Sequence, residues 1–241
     1  MNPGNAALGR GLDALVALGS PEATRDGLGV SRLAELLGVD KSQASRTLAV
    51  LDDRGFATRD PETLAYRLGR QVFALAALTG DAPLVAAARP ELLALVAALG
   101  ESAHLSVRHG DEVLTLASES PAAAIHAPGR VGGLTPLATT SAGRVLATTL
   151  SDDELAAAGL ADVADRIAEA RAQGHAIVRD EFEAGLVSVA APIRDAAGRV
   201  VAALNVSAPA FRFDDRVAAA APMVEQAADR VAAAVGGPVP A

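Results

Sequence analysis

The chain has no cysteine and no tryptophan, a single tyrosine, and one lysine against twenty arginines. Without cysteine there is no disulfide framework and no thiolate metal site. With aromatics at 2%, the core has to be built from aliphatic side chains, and a hydrophobic content of 51% over 241 residues is enough for a sizeable one. Long apolar runs are also missing: stretches such as residues 92–99 are far too short to span a bilayer. The opening MNPGNAALGRG lacks the basic segment and apolar core of a signal peptide. The expectation is a soluble, cytoplasmic protein with no membrane partner.

Positive charge is short overall, with a net charge of -8, which at first argues against a nucleic-acid partner. The deficit is unevenly placed. Residues 1–80 carry nine basic and nine acidic side chains, and the rest carry twelve basic and twenty acidic ones. A neutral N-terminal part can still present a basic face, whereas the acidic remainder is a poor surface for phosphate. The asymmetry suggests two domains, residues 1–80 and 81–241, divided at TGDAP.

Along the first part, residues 1–8 read as unstructured. RGLDALVAL then places Leu12, Leu15, Val16 and Leu18 on a helical stripe, and SPEATRDGLG reads as a loop. Ser31 can cap a short helix ending at Gly38. Asp40, with Gln43 three residues on, has the form of a capping box for a second helix that stops at Gly55. Residues 56–68 read as two strands around Asp60-Pro61. Two helices separated by GVD, followed by a hairpin, is the order of a winged helix-turn-helix.

A helical wheel of the second helix puts Ala44, Leu48 and Leu51 on one side and Ser42, Ser45, Arg46, Ala49 and Asp53 on the other. Solvated faces usually carry long charged residues, but this one begins with short donors and one arginine. Small residues let a helix sink into a major groove, where Arg46 can reach a guanine edge or a phosphate. Lys41, Ser42, Gln43, Ser45 and Arg46 are therefore the candidate contacts to double-stranded operator DNA. In the hairpin, Phe56, Thr58, Tyr66 and Leu68 are assigned to one parity and Arg59 and Arg67 to the other, which suits two phosphate contacts on an outer face. Taken singly, each arginine reads more readily as a solvated charge, and it is the arrangement with the helix pair and hairpin that favours DNA.

The second part alternates strand-like runs at 103–107, 112–117, 186–191 and 200–206 with helix-like ones after Ser141, after Ser151, at 161–173 and at 214–235. Pro90 is expected to interrupt a helix between residues 83 and 99, and the tail GGPVPA to fray. This pattern indicates an α+β domain with a largely antiparallel sheet. In 200–207 one parity is apolar and the other ends in Asn205 and Ser207. Ser188 can lie on the neighbouring strand, giving a polar cluster in an apolar cup, the composition of a ligand pocket, or simply a sheet face meeting water. Ser141, Ala142 and Gly143 stand at a helix start whose amides favour an anion. The plainer reading there is a cap with a glycine for close packing.

The stretch at residues 30–69, together with ESAHLSVRHGDEVLTLASES, LTPLATTSAGRVLAT and GHAIVRDEFEAGLVSVAAPIRDAAGRVVAALNVSAP, resembles the isocitrate lyase regulator (IclR) family over about residues 8–236. The resemblance implies an N-terminal winged helix-turn-helix, a linker helix and a C-terminal GAF-like effector-binding domain. It also implies a small organic acid or aromatic effector, and a homodimer formed through the N-terminal domains, sometimes paired into tetramers. The family's pocket motif falls on Ser141, Ala142, Ser188, Asn205 and Ser207, with Val178 where some relatives are acidic and Asp180 within slip range. Two departures are a shorter segment between Arg144 and Gly174, where a helix or loop is expected to be missing, and Asp40 where relatives often have proline. The function so implied is a ligand-responsive transcriptional regulator, a repressor released or modulated by its effector.

The competing class is a small-molecule enzyme, hydrolase-like, with an unrecognised active site. Its support is thin. His104, His109, His126 and His175 are scattered without ligand spacing, and SDDEL and RDEFE read as a helix start and a solvated turn. No Ser-x-x-Lys, nucleophile elbow, P-loop or dinucleotide fingerprint occurs. No catalytic residue, metal site or cofactor is expected.

Overall fold

The computed structural model describes residues 3–122 and 131–236; His126 and most of the GGPVPA tail lie outside them. The chain divides into two compact units, Met1–Ala82 and Pro83–Ala241.

The first unit holds α1 (Pro3–Leu18), α2 (Pro21–Asp26), α3 (Val30–Leu37), α4 (Lys41–Asp53), β1 (Ala57–Arg59), β2 (Tyr66–Leu68) and α5 (Arg70–Ala76). Three local expectations change. The opening residues are helical from Pro3 onward. The presumed loop contains α2, whose first turn is held by Ser20 Oγ accepting from the Ala23 amide (3.3 Å), with Pro21 leading the helix. The cap of α3 is Gly29 rather than Ser31, and Gly38 ends that helix in the left-handed conformation at φ 62°.

The α1 stripe also splits. Ala14 and Leu18, one turn apart, enter a core with Leu28, Leu33, Ala44, Leu48 and Tyr66, while Leu12 and Val16 stay outside. β1 and β2 form an antiparallel hairpin, and Leu28 bridges to Tyr66 as a third extended segment. Together these elements make a winged helix-turn-helix.

The second unit is built on a six-stranded antiparallel sheet in the order β5-β4-β3-β8-β7-β6. Its strands are β3 (Ser102–His109), β4 (Glu112–Glu119), β5 (Leu134–Pro136), β6 (Ala176–Arg179), β7 (Leu186–Arg194) and β8 (Val200–Pro209). The four expected strands are present and longer than anticipated, and β5 and β6 are additional edge strands. The helices are α6 (Ala82–Leu99), α7 (Ser141–Leu146), α8 (Asp152–Ala157), α9 (Ala164–Gln173) and α10 (Ala210–Gly236), with short 3-10 turns at Ala147–Thr149 and Ala161–Val163. The segment expected to be short thus still folds as a series of helical pieces. Ser151 and Glu154 close a reciprocal capping box on α8.

Alternation along β8 sorts its side chains between two layers. Ala202, Leu204, Val206 and Ala208 pack with α6 and α10, while Ala203 packs with Ala190, Ala176 and the residues of α7 and α9. Pro90 does not interrupt α6, which runs 18 residues. By length and composition α6 is the one helix among the described residues that could cross a membrane. Its Leu84, Ala88, Leu92, Leu95 and Leu99 are instead buried in the sheet core. At about 1.5–3 kcal/mol per buried leucine, that stripe offsets the roughly 3 kcal/mol an internal proline costs.

Candidate functional site

In the first unit, the turn between α3 and α4 is fixed by Asp40. Its Oδ1 accepts from Ser42 Oγ (2.6 Å) and from the Gln43 amide (2.8 Å). These bonds, the Ser42 hydroxyl first, hold the Asp40 carboxyl below its ordinary range. Asp40 is therefore a true N-cap, and the Ser42 hydroxyl is committed to it. Ala44 and Leu48 are fully buried, and Lys41, Ser42, Ser45, Arg46 and Ala49 are exposed on α4, with Gln43 between. No hydrogen bond or salt bridge ties Lys41 or Arg46 to another described residue.

The wing departs from expectation. Its register pairs Ala57 with Leu68, Thr58 with Arg67 and Arg59 with Tyr66. The connecting loop, residues 60–65, has an even number of residues, so paired positions have opposite parity and Arg59 and Arg67 fall on opposite faces. Asp60 holds that loop by accepting from the Glu62 and Thr63 amides. Arg59 stacks its guanidinium 5.6 Å from the centre of the Tyr66 ring. Arg67 turns back and donates to the carbonyls of Thr24 (2.9 Å) and Arg25 (3.0 Å) in the last turn of α2. The assignment of Arg67 to a phosphate is corrected: its guanidinium caps a helix C-terminus.

In the second unit, Ser188, Asn205 and Ser207 do share one sheet face. Asn205 Nδ2 donates to Ser207 Oγ at 3.1 Å. The registers extend that cluster across four strands. Ser207 stands between Ser188 on β7 and Ser102 on β3, and Asn205 stands between Ala190 and His104. On β4, Ser118 lies 2.9 Å from His104 Nδ1 and Ser120, just beyond, 3.0 Å from Ser102 Oγ. Ser102, His104, Ser118 and Ser120 were missed in the sequence. The signal was present as Ser102, His104 and Ser106 at alternate positions of β3, but it becomes a site only once β3 is known to lie between β4 and β8.

His104 is buried, and burial alone lowers its pKa to about 4, so its ring is neutral at ordinary pH. Val178 pairs with Ser188 and belongs to this face, whereas Asp180 sits in the following turn at φ 57° and accepts from the Gly185 amide. The face therefore carries no carboxylate at that end.

α7 packs over β7 and β8. Its start does not offer the free amides expected of Gly143. Thr140 is the N-cap, and its Oγ1 accepts from the Gly143 amide at 3.1 Å while donating to the Pro136 carbonyl. A Cβ at Gly143 would lie 2.2 Å from the Leu137 carbonyl oxygen, so the glycine serves close packing and is removed from the candidate contacts. Ser141 and Ala142 remain over the sheet, both buried. Arg144, also buried, turns to an ion pair with Glu181, which Arg166 joins at 2.9 Å.

Neither of two cavities is lined by His104, Ser188, Asn205 or Ser207. One of about 310 Å³ is lined by Asp52, Thr58 and Arg70 in the first unit, and one of about 430 Å³ by Arg144, Arg166, His175 and Arg179 in the second. Of the polar face, Ser102, His104, Ser188, Asn205 and Ser207 are buried, while Ser118 is half-buried and Ser120 exposed. His175 bonds Glu225 at 2.8 Å, and no group of three His, Asp or Glu side chains among the described residues is placed to hold a metal.

A winged helix-turn-helix with a bare recognition face, joined in one chain to a sheet domain with a buried polar face, defines a DNA-binding transcriptional regulator that responds to a ligand. The chain matches the IclR helix-turn-helix domain over residues 7–61 and the bacterial transcriptional regulator IclR C-terminal domain over residues 76–233; it belongs to the IclR family. It is 33% identical to the Pca regulon regulatory protein of Pseudomonas putida, over 83% of this chain and 73% of that protein. It is 30% identical to the transcriptional regulator BhcR of Paracoccus denitrificans, over 93% and 85% of the two chains. Among solved structures, an IclR homologue from Microbacterium hydrocarbonoxydans complexed with 4-hydroxybenzoate superposes with a TM-score of 0.77 at 21% identity, covering 95% of this chain and 98% of that one. The domains and relatives are regulators, and the protein is not an enzyme.

Proposed function

We infer that the first unit binds operator DNA through α4 and Arg59, and that the second unit binds a small organic acid or aromatic effector which changes operator occupancy. The observation that carries this reading is the exposed face of α4. Ser45 and Ala49 leave the backbone open around Arg46, and Arg46 and Lys41 have no hydrogen bond or salt bridge to another described residue. Arg46 is the base-reading residue, while Lys41, Ser42, Gln43 and Ser45 approach the groove at the helix start. Ser188, Asn205 and Ser207, under Ser141 and Ala142, hold the polar end of the effector. The protein acts as a repressor, as the AllR relatives are named, and works in the cytoplasm where its operator is.

One recognition helix reads too few base pairs to be selective, so two half-sites and a homodimer are required. Leu8, Leu12 and Val16 support this. They are exposed at 66%, 55% and 77%, and their four-residue spacing makes a single apolar stripe on α1. That stripe suits a second copy of the unit.

Selection of bound fragments from a random duplex library, followed by mobility shifts with and without 4-hydroxybenzoate and related acids, tests the reading. An enriched site with two-fold symmetry and an acid that alters occupancy are expected. Absence of any sequence enrichment at low salt overturns it.

A further inference from the structure

The inner sheet face is polar across four strands, and the one charged side chain that β3 puts on it, Arg108, stands four residues from His104 at the strand's exposed end. Around His104, β4 supplies Ser118 and β8 supplies Asn205. The nearest ionisable group on β4, Glu119, is one residue further along, has the opposite parity to Ser118, and bonds Arg89 at 3.2 Å. β8 has no ionisable residue. α7 has one, Arg144, which is taken by Glu181. On the far side of the sheet, Glu101 and Arg212 pair with each other at 2.7 Å, and Arg108, on the near side at the exposed end of β3, donates to the Gly110 carbonyl at 2.8 Å.

Among the described residues no carboxylate is therefore placed to hold a proton on the His104 ring. Its Nδ1 is engaged with Ser118, and its Nε2 has no hydrogen-bond partner among the described residues. Arg144 Nε is the only described side-chain nitrogen or oxygen that is both fully enclosed and unpartnered. His104 Nε2 is not among such atoms, so the free nitrogen keeps some exposure at the polar face.

We propose that His104 selects for an anionic effector: Nε2 meets the carboxylate of the bound molecule, and the ring takes up one proton from solvent as the acid binds. The proposal rests on the reading of the second unit as the effector-binding unit. A carboxylate enclosed alone among serines, alanines and an asparagine would be strongly disfavoured. An imidazolium formed beside it leaves the enclosed face with no net charge and adds a charge-assisted hydrogen bond. The balance is simple: neutral imidazole, effector anion and one solvent proton become an imidazolium-carboxylate pair, with no covalent bond made or broken. An uncharged analogue of the same shape has nothing to stabilise that proton. With the free ring titrating near pH 4, acid affinity is greatest at low pH. It falls about tenfold per unit until the pKa of the complex is passed, and is flat above it.

The test is calorimetry of the full chain with butyrate, benzoate and 4-hydroxybenzoate, each against its amide, in two buffers of different ionisation heat between pH 5 and 8. An acid that binds should take up close to one proton below the pKa of the complex, and its amide none. Because the chain has four histidines, the nitrogen-15 spectrum of histidine-labelled protein resolves the ring directly, and it should turn from neutral to imidazolium on addition of the acid. His104→Gln should bind without proton uptake and with a flat pH profile. Binding of the acid with no proton taken up, or with uptake retained in His104→Gln, which would put the proton on the ligand, overturns the proposal. So does failure of all three acids to bind a chain that still selects its operator, an outcome that leaves the regulator reading standing. Proton-linked acid binding by a chain with no DNA affinity would do the reverse.

Discussion

The serines of α4 and those of the six-stranded sheet are the same side chain under opposite conditions. Ser45 stands in water beside Arg46, where an unshared hydroxyl costs nothing. Ser102 and Ser207 are enclosed, where an unbonded hydroxyl costs on the order of 1–3 kcal/mol, and each is bonded, to Ser120 and to Asn205. A surface for a large hydrated polymer is made by leaving a helix face bare. A surface for a small molecule is made by enclosing polar groups, and the enclosing elements have to be held in place. Substitutions on α4 should accordingly alter binding and leave folding alone, while substitutions around the sheet face should alter folding as well.

The largest expected effect lies in the enclosing layer. Gly143→Ala drives a methyl into the Leu137 carbonyl and should destabilise the second unit by about 3 kcal/mol or more. A lowered thermal transition for that unit, with DNA binding by the first unit retained, is the outcome to look for. Next comes His104. Its folded pKa of about 4 lies below the ordinary 6.5, so the unfolded chain binds a proton first as the pH falls. The stability it contributes is complete above about pH 6.5 and is lost toward pH 4. The full gap is about 3 kcal/mol. Urea titrations from pH 7 to 4 should show His104→Gln losing less stability than wild type by about that amount, and parallel curves would mean that the ring titrates normally.

On the bare helix, Arg46→Ala should weaken operator binding by roughly 1–3 kcal/mol with an unchanged thermal transition. An unaltered affinity in the folded variant would take α4 out of the groove. The smallest and most discriminating contrast is within the wing. Arg59→Ala should flatten the salt dependence of DNA binding by about one unit of log slope. Arg67→Ala should leave that slope alone and destabilise the first unit by about 1 kcal/mol through its two lost bonds.

Local signals made much of the first unit readable. Asp40 caps α4 as its position suggests, Gly38 stops α3, and the alternation of Ala44 and Leu48 with Ser45 and Arg46 gives the orientation of α4 directly. The wing's faces were misassigned because a hairpin's parity depends on loop length, and Leu64 at φ 58° is not a residue that advertises such a turn. His104 was invisible for a different reason. Its partners Ser118 and Asn205 are separated from it by a hairpin and by half the domain, so only strand pairing brings them together. Gly143 was readable in principle, since the same residues allow an amide donor or a close approach. What decides between them is Leu137, which nothing local to Gly143 reveals.

The bond pair from Arg67 to the last turn of α2 bears on how quickly the complex forms and falls apart. A hairpin fastened only by its own ladder would sample many orientations and lose that freedom on docking, weakening every contact it then made. Tied to α2, the wing has already lost it during folding, and its orientation toward a duplex is set before any phosphate is met. Loosening the tie should therefore show itself first as faster dissociation from the operator, with the encounter rate little changed.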